Sequence, residues 1–167
     1  LRVDFPCDES DDPMSQHIET LAAQTIRLGL QGRVVGSHLT SMHSMDNYYV
    51  SKLLPLIAEA QIHAIPNPLI NTTLQGRHDT YPKRRGITRI PELAHRVNVA
   101  FGQDCCMDPW YSLGSGDMLE VAHMAVHVSQ MTSVDAMKQA FDAITVNSAR
   151  AMGLDDYGIE TGRSANC

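Results

Sequence analysis

A chain of 167 residues with 43% hydrophobic and 19% charged side chains is long enough to bury a sizeable core and has a globular composition. No apolar run approaches the roughly 18 residues of a membrane span, and the first residues show neither a basic start nor a small-residue cleavage site. The formal charge of -6 argues against a nucleic-acid surface, because phosphate binding needs clustered cations and only Lys83-Arg84-Arg85 forms a run, which reads as a solvated loop.

In chain order, residues 1–5 read as a short strand. Asp12-Pro13 then supplies an N-cap and an N1 proline for a helix whose face carries Met14, Ile18, Leu21, Ala22 and Thr25, with Gly29 as its stop. Residues 33–37 form the next predicted strand. Val50, Leu53, Leu54, Ile57 and Ala58 follow at helical spacing, with a kink expected at Pro55. A third strand is predicted at residues 62–65, and the polar stretch 66–89 reads as one large loop. A short helix near Pro91 leads to a fourth strand at 97–101. Met118, Val121, Ala122 and Ala125 begin a helix, and Ser133 caps another that carries Met137, Ala140, Phe141 and Ile144. The methionines around Met118 and Met131 read as core filling.

Strands alternating with helices predict an α/β fold, and four such units amount to half of a (β/α)8 TIM-like barrel, with strands lacking neighbours at both edges. The expectation is a single domain over 1–167, truncated at both ends, since the pattern begins in mid-stride at Leu1 and stops at Cys167 after a Gly-rich turn. Cys7, Cys105, Cys106 and Cys167 show no CxxC spacing, which fits reduced thiols and a cytoplasmic location.

In a barrel the chemistry gathers just past the C-terminal ends of the strands. There the sequence places Cys7-Asp8-Glu9, Ser37-His38 and Gln103-Asp104. Two carboxylates and an imidazole facing one space suit metal-assisted hydrolysis; equally, a lone strand-end histidine is often structural and an aspartate often a helix cap. His123 and His127 stand four apart, but Met124 occupies the place of the glutamate in an HExxH pattern, so they read as packing or surface residues. Cys105-Cys106 reads as buried structural thiol rather than nucleophile, and Trp110 as a pocket wall or lid, or as simple loop packing.

One long run carries more. Asn67-Pro68-Leu69-Ile70-Asn71, Leu74-Gln75-Gly76-Arg77 and Asp79 through Arg89 together resemble the long loop of bacterial cytosine deaminases, members of the metal-dependent amidohydrolase superfamily. Gly36-Ser37-His38, Met42-His43-Ser44, Phe101-Gly102-Gln103-Asp104, Asp108-Pro109-Trp110-Tyr111, Asp156-Tyr157-Gly158-Ile159 and Ser164-Ala165-Asn166 extend the resemblance across nearly the whole chain.

The resemblance implies the second half of an amidohydrolase barrel and hydrolytic deamination of a cytosine-like heterocycle, with one divalent metal ion, iron or zinc. It implies that Asp104 is a metal ligand and proton acceptor, that His38 orients the attacking hydroxide, and that Glu9 protonates a ring nitrogen. Cys105 and Trp110 become the candidate substrate-binding residues. Three departures follow from the same likeness. Pro6 stands where a histidine ligand is expected and has no donor atom, and the HxH pair of the first barrel strand lies outside the chain. Cys105 stands where the cytosine enzymes carry a second aspartate, which opens related rings such as isocytosine or creatinine. Metal binding by this chain alone is therefore not expected. The implied partner is a small heterocycle, with no nucleic acid and no membrane, in a homo-oligomer. Two other readings stand beside the enzyme: a catalytically inactive remnant that only binds, and a structural half-barrel that associates with another chain.

Overall fold

Hydrophobic alternation becomes a parallel sheet in the computed structural model, which describes residues 1–164; Cys167 and the Ala165-Asn166 end of the resemblance lie outside the described residues. Strands β1 (Val3–Cys7), β2 (Val34–His38) and β3 (His63–Ile65) pair in the order β1-β2-β3, with Val3 opposite Val34 and Val35 opposite His63. Helices α1 (His17–Arg27) and α2 (Asn47–Ala60) separate them, as parallel strands require a crossover connection. Among the described residues no helix is long and apolar enough to cross a membrane.

The predicted fourth strand survives as a single bridge, Ala64 with Val99. The cause is one missing donor. Ala64 N–H donates to Asn98 O and Ala100 N–H to Ala64 O, both at 3.0 Å, but Pro66 has no N–H with which to continue the ladder, and Gly102 N–H closes onto Pro66 O at 3.1 Å. The far side of this segment is not an open edge either. Phe101 N–H donates to Ala143 O at 2.9 Å, and Asn147 Nδ2 donates to Val99 O at 2.9 Å. Among the described residues neither side of the sheet has a further strand, and the other outer side is that of β1. There Val3 N–H and Cys7 O already serve β2's side, so alternation turns the nitrogen of Pro6 outward, where its missing donor costs β1–β2 nothing.

Several boundaries move. β1 extends to Cys7 and β2 to His38, and α1 begins at His17, because the Asp12-Pro13 segment forms a turn in which Asp12 Oδ1 accepts from Met14 N–H at 2.9 Å. Met14 is 75% exposed and leaves the predicted face, while Ile18, Ala22 and Thr25 are buried as predicted. α2 is capped by Asp46, which accepts from Tyr48 and Tyr49 N–H, and it runs on through Pro55, whose ring is exposed. The 66–89 stretch is not one loop: α3 (Pro68–Leu74) opens it. α4 (Ile90–Ala94) and α5 (Met118–Val128) follow, and Ser133 Oγ accepts from Ala136 N–H to start α6 (Val134–Ala143). α6 buries Ala140 and Ala143 rather than Met137 and Phe141, and Ile144 ends it before a separate α7 (Val146–Met152).

The core lies between the sheet and the outer helices. Ile18 and Ala22 of α1, Leu53 and Ile57 of α2, Val34 of β2 and Ala64 of β3 belong to it, and each fully buried Ile or Leu contributes roughly 1.5–3 kcal/mol. On the other face Val35 packs with Ala100 and with Ala151 of α7. Gly36 sets how closely α1 approaches, since a Cβ there would lie 3.4 Å from both Leu21 Cδ2 and Leu39 Cδ2. The basic trio is exposed, as a solvated loop would be, and each member also hydrogen-bonds to the chain. Lys83 Nζ donates to Gly76 O and Asp79 O, Arg84 pairs with Asp79 and reaches Asp11 O, and Arg85 donates to Val128 O.

Candidate active site

Three of the four parallel segments that end at this face, β1, β2 and the 97–101 segment, turn through a left-handed residue. Asp8 has φ 55°, His38 67°, Leu39 53° and Asp104 65°. For residues other than glycine this conformation costs roughly 1–2 kcal/mol apiece, and strain of this kind collects where side chains must be aimed. Here it releases His38 and Asp104 from strand alternation and turns them toward the mouth.

Of the adjacent acids Asp8 and Glu9, the fold uses the first for structure. Asp8, 6% exposed, accepts from His17 N–H at 3.0 Å and Ile18 N–H at 2.8 Å, which are free donors of α1's first turn. Ser15 Oγ and His17 Nδ1 meet the same carboxylate. Glu9 is left free to face inward. Its Oε1 lies 3.4 Å from His38 Nδ1, and Asp104 Oδ2 lies 4.0 Å from His38 Nε2. One ligand-type atom from each of the three lies within 4.8 Å of the others. Burial pushes the Glu9 carboxyl above its ordinary value; His38 opposes that shift and Asp104 adds to it.

His38 is nearly enclosed, with a side chain 6% exposed, whereas Glu9 and Asp104 are 36% and 34% exposed. Two amides close over its ring. Asn67 Nδ2 lies 3.2 Å and Asn71 Nδ2 3.1 Å from His38 Nδ1. Both come from the start of α3: Asn67 precedes Pro68, and Asn71 is buried one turn later. Gly102 leaves room for this arrangement, since a Cβ there would stand 2.2 Å from Asn67 Oδ1. The sequence reading gave these three residues no role, although the asparagines' i, i+4 spacing around a helix-starting proline was visible in it.

After Asp104 the chain folds back on itself. Gln103 Nε2 donates to Cys105 O at 3.2 Å, and Asp108 Oδ1 accepts from Trp110 and Tyr111 N–H. The Cys105 thiol is buried and pushed up to about 12, chiefly by burial and then by Asp108 and Asp104, which disfavours the thiolate a nucleophile needs. Trp110 is 73% exposed, its ring on the surface. His123 and His127 are exposed neighbours on α5, with His127 Nδ1 2.7 Å from His123 O. Cys7, Cys105 and Cys106 are free thiols.

Glu9 also lines a cleft of about 580 Å3 with Asp11, Arg77, His78, Asp79 and Arg84, which His38 and Asp104 do not line. A second cleft of about 570 Å3, lined by Gly32, His63, Asn98, Asn147 and Arg150, lies at the opposite end of the strands and holds none of Glu9, His38 and Asp104.

By distance Glu9, His38 and Asp104 could together hold a metal ion, but His38 is poorly presented for it. Catalytic zinc takes three protein ligands and an open position, and a ligating histidine presents its other nitrogen to an acceptor. His38 Nδ1 instead faces amide donors. Pro6, on the same sheet face as its register partner Ser37, offers no donor atom. Asp104 remains suited to ligation, and a ligand in place of His38 would have to come from outside these residues.

The chain is similar along most of its length to two deaminases and an amidohydrolase. It is 43% identical to 5-methylcytosine deaminase from Klebsiella pneumoniae, solved with 5-fluorocytosine, with a TM-score of 0.95 over 98% of this chain and 40% of that one. It is 31% identical to pterin deaminase of Rhizobium rhizogenes over 95% of this chain and 36% of that protein. It is 25% identical to N-isopropylammelide isopropyl amidohydrolase of Pseudomonas sp. over 89% of this chain and 34% of that one. The chain thus spans well under half the length of these relatives, and its fold is a portion of their barrel. Residues 1–166 match the amidohydrolase family model, and the chain belongs to that family.

Proposed function

We propose that this chain supplies the proton-transfer half of a hydrolytic deaminase acting on a cytosine-like heterocycle within a complete amidohydrolase barrel. The observation that carries the reading is the convergence of Glu9, His38 and Asp104 past the ends of three parallel segments. In this reading Glu9, kept protonated more readily by burial, delivers a proton to a ring nitrogen and makes the adjacent carbon more electrophilic. His38 donates a hydrogen bond that orients the attacking water, and Asp104 accepts that water's proton and passes it to the exocyclic amine; the C–N bond then breaks, ammonia leaves, and the hydroxyl left on the ring carbon becomes a carbonyl as its proton returns to Glu9. A divalent ion, iron or zinc, supplies acidity to water when the whole barrel holds one. Cys105 in place of a carboxylate presents a weakly polar edge to the ring, which favours a ring other than cytosine.

A second reading rests on Pro6, which leaves one ligand position without a donor: the assembled barrel binds a heterocycle and does not turn it over. The test is a chimera in which residues 1–164 replace the matching segment of the Klebsiella enzyme. Ammonia release is measured on cytosine, 5-methylcytosine, isocytosine, pterin and creatinine. Turnover of one ring, lowered on the order of 10²- to 10⁴-fold by Glu9→Gln with little change in KM, supports the deaminase. Binding without ammonia from any ring supports the second reading.

A further inference from the structure

The two asparagines over His38 decide which of its nitrogens carries the proton. Asn71 Oδ1 accepts from Asn67 N–H at 3.2 Å, and this fixes the Asn71 amide, because exchanging its oxygen and nitrogen would set two N–H groups against each other. Its Nδ2 therefore faces His38 Nδ1 as a donor at 3.1 Å, and Asn67 Nδ2 approaches the same atom at 3.2 Å. An Nδ1–H would meet two further N–H groups in a buried site; an Nδ1 lone pair accepts from them. Glu9 Oε1, at 3.4 Å, is an acceptor that would favour the opposite arrangement, and the Asn71 amide, fixed by its bond to Asn67 N–H, opposes it.

We propose that Asn67 and Asn71 are positioning residues that hold neutral His38 as its Nε2–H tautomer, and that Gly102 is the space which lets Asn67 do so. The proton then points to the open side, where 4.0 Å separates Nε2 from Asp104 Oδ2, a gap that admits an oxygen accepting from one and held by the other. Ligation of a metal through Nε2 would require the tautomer that both amides oppose, so His38 acts as a hydrogen-bond donor and not as a ligand. His63 offers an internal comparison far from this site. Its Nε2 donates to Gly32 O at 3.1 Å and its Nδ1 accepts from Asn98 Nδ2 at 3.0 Å, with Asn98 Oδ1 taken by Arg150. Both nitrogens of His63 are used up by the fold; in His38 only one is.

This inference rests on the deaminase reading for its chemical use, but the tautomer itself is measured without activity. Long-range ¹H–¹⁵N correlation on the ¹⁵N-labelled chain separates the two neutral tautomers, with His38 assigned by the signals lost in His38→Gln. The expected spectrum shows the Nε2–H pattern for His38, as for His63, exceeding the other form by about tenfold or more. Asn71→Asp presents oxygen in place of N–H and is expected to convert His38 to the Nδ1–H form. A wild-type His38 that is Nδ1–H or evenly mixed overturns the proposal, whatever becomes of the variant. A folded Asn71→Asp protein that keeps Nε2–H also overturns it. If the Nε2–H pattern is found and the chimera releases no ammonia, the clamp stands and the deaminase reading falls.

Discussion

Gly102→Ala is the smallest change that reaches the candidate site from outside it. The φ of Gly102 lies outside the left-handed region, so alanine meets no backbone penalty, and the effect is one of space alone. The new Cβ would stand 2.2 Å from Asn67 Oδ1 and 3.2 Å from Ile65 Cγ2. Asn67, 4% exposed, cannot swing into solvent, so it must give up its place over His38. Overpacking a tight interior costs about 1–3 kcal/mol and the lost hydrogen bond about 0.5–1.5, a total of about 1.5–4.5 kcal/mol. For a domain of this size that corresponds to a fall in Tm of roughly 3–18 °C. Urea unfolding of Gly102→Ala, Asn67→Ala and the double variant tests the cause. With the asparagine side chain gone the Cβ has room, so Gly102→Ala should cost about 1 kcal/mol or less in that background, a coupling of about 1–3 kcal/mol. Equal cost in both backgrounds would refute the steric account.

Asp8→Ala should destabilise the chain by about 2–3 kcal/mol in the same assay, because it strips the acceptor from His17 and Ile18 N–H at the start of α1; a loss under about 0.5 kcal/mol would mean that water replaces the carboxylate. His63 and His43 are both held below the ordinary imidazole value, chiefly by burial. The native state therefore binds fewer protons than the unfolded chain between those lowered values and about 6.5, so their contribution is full above about pH 6.5 and is lost as pH falls through that interval. His63→Gln should flatten the acid side of the Tm profile, and an unchanged slope would assign it to other groups. The purified chain should carry well under one equivalent of zinc plus iron by mass spectrometry, and Pro6→His should raise metal content in the chimera far more than in the chain alone. Tight one-to-one metal in the unmodified chain would show that its ligands lie elsewhere.

The sequence by itself determined the α/β class, the places of three strands, the buried stripe of α1 and the strand-end positions of Glu9, His38 and Asp104. These follow from local periodicity and from where polar residues break it, and both survive in a linear string. Resemblance along the 67–89 stretch and its companions then pointed to the family. Other features depended on partners distant in sequence. The fourth strand reads as a strand until Pro66, more than thirty residues earlier, fails to supply its hydrogen bond. Asp12-Pro13 reads as a helix start until Asp8 takes the free N–H groups of His17 and Ile18. Lys83, Arg84 and Arg85 stay exposed, as the sequence suggests, but their ties to Gly76, Asp79 and Val128 appear only in the fold. Which nitrogen of His38 is free was decided only by the tertiary structure, because it depends on amides 29 and 33 residues away and on a glycine that makes room for one of them. Propensity and spacing record what each residue prefers alone; donor–acceptor matching across the fold decides what each is able to do.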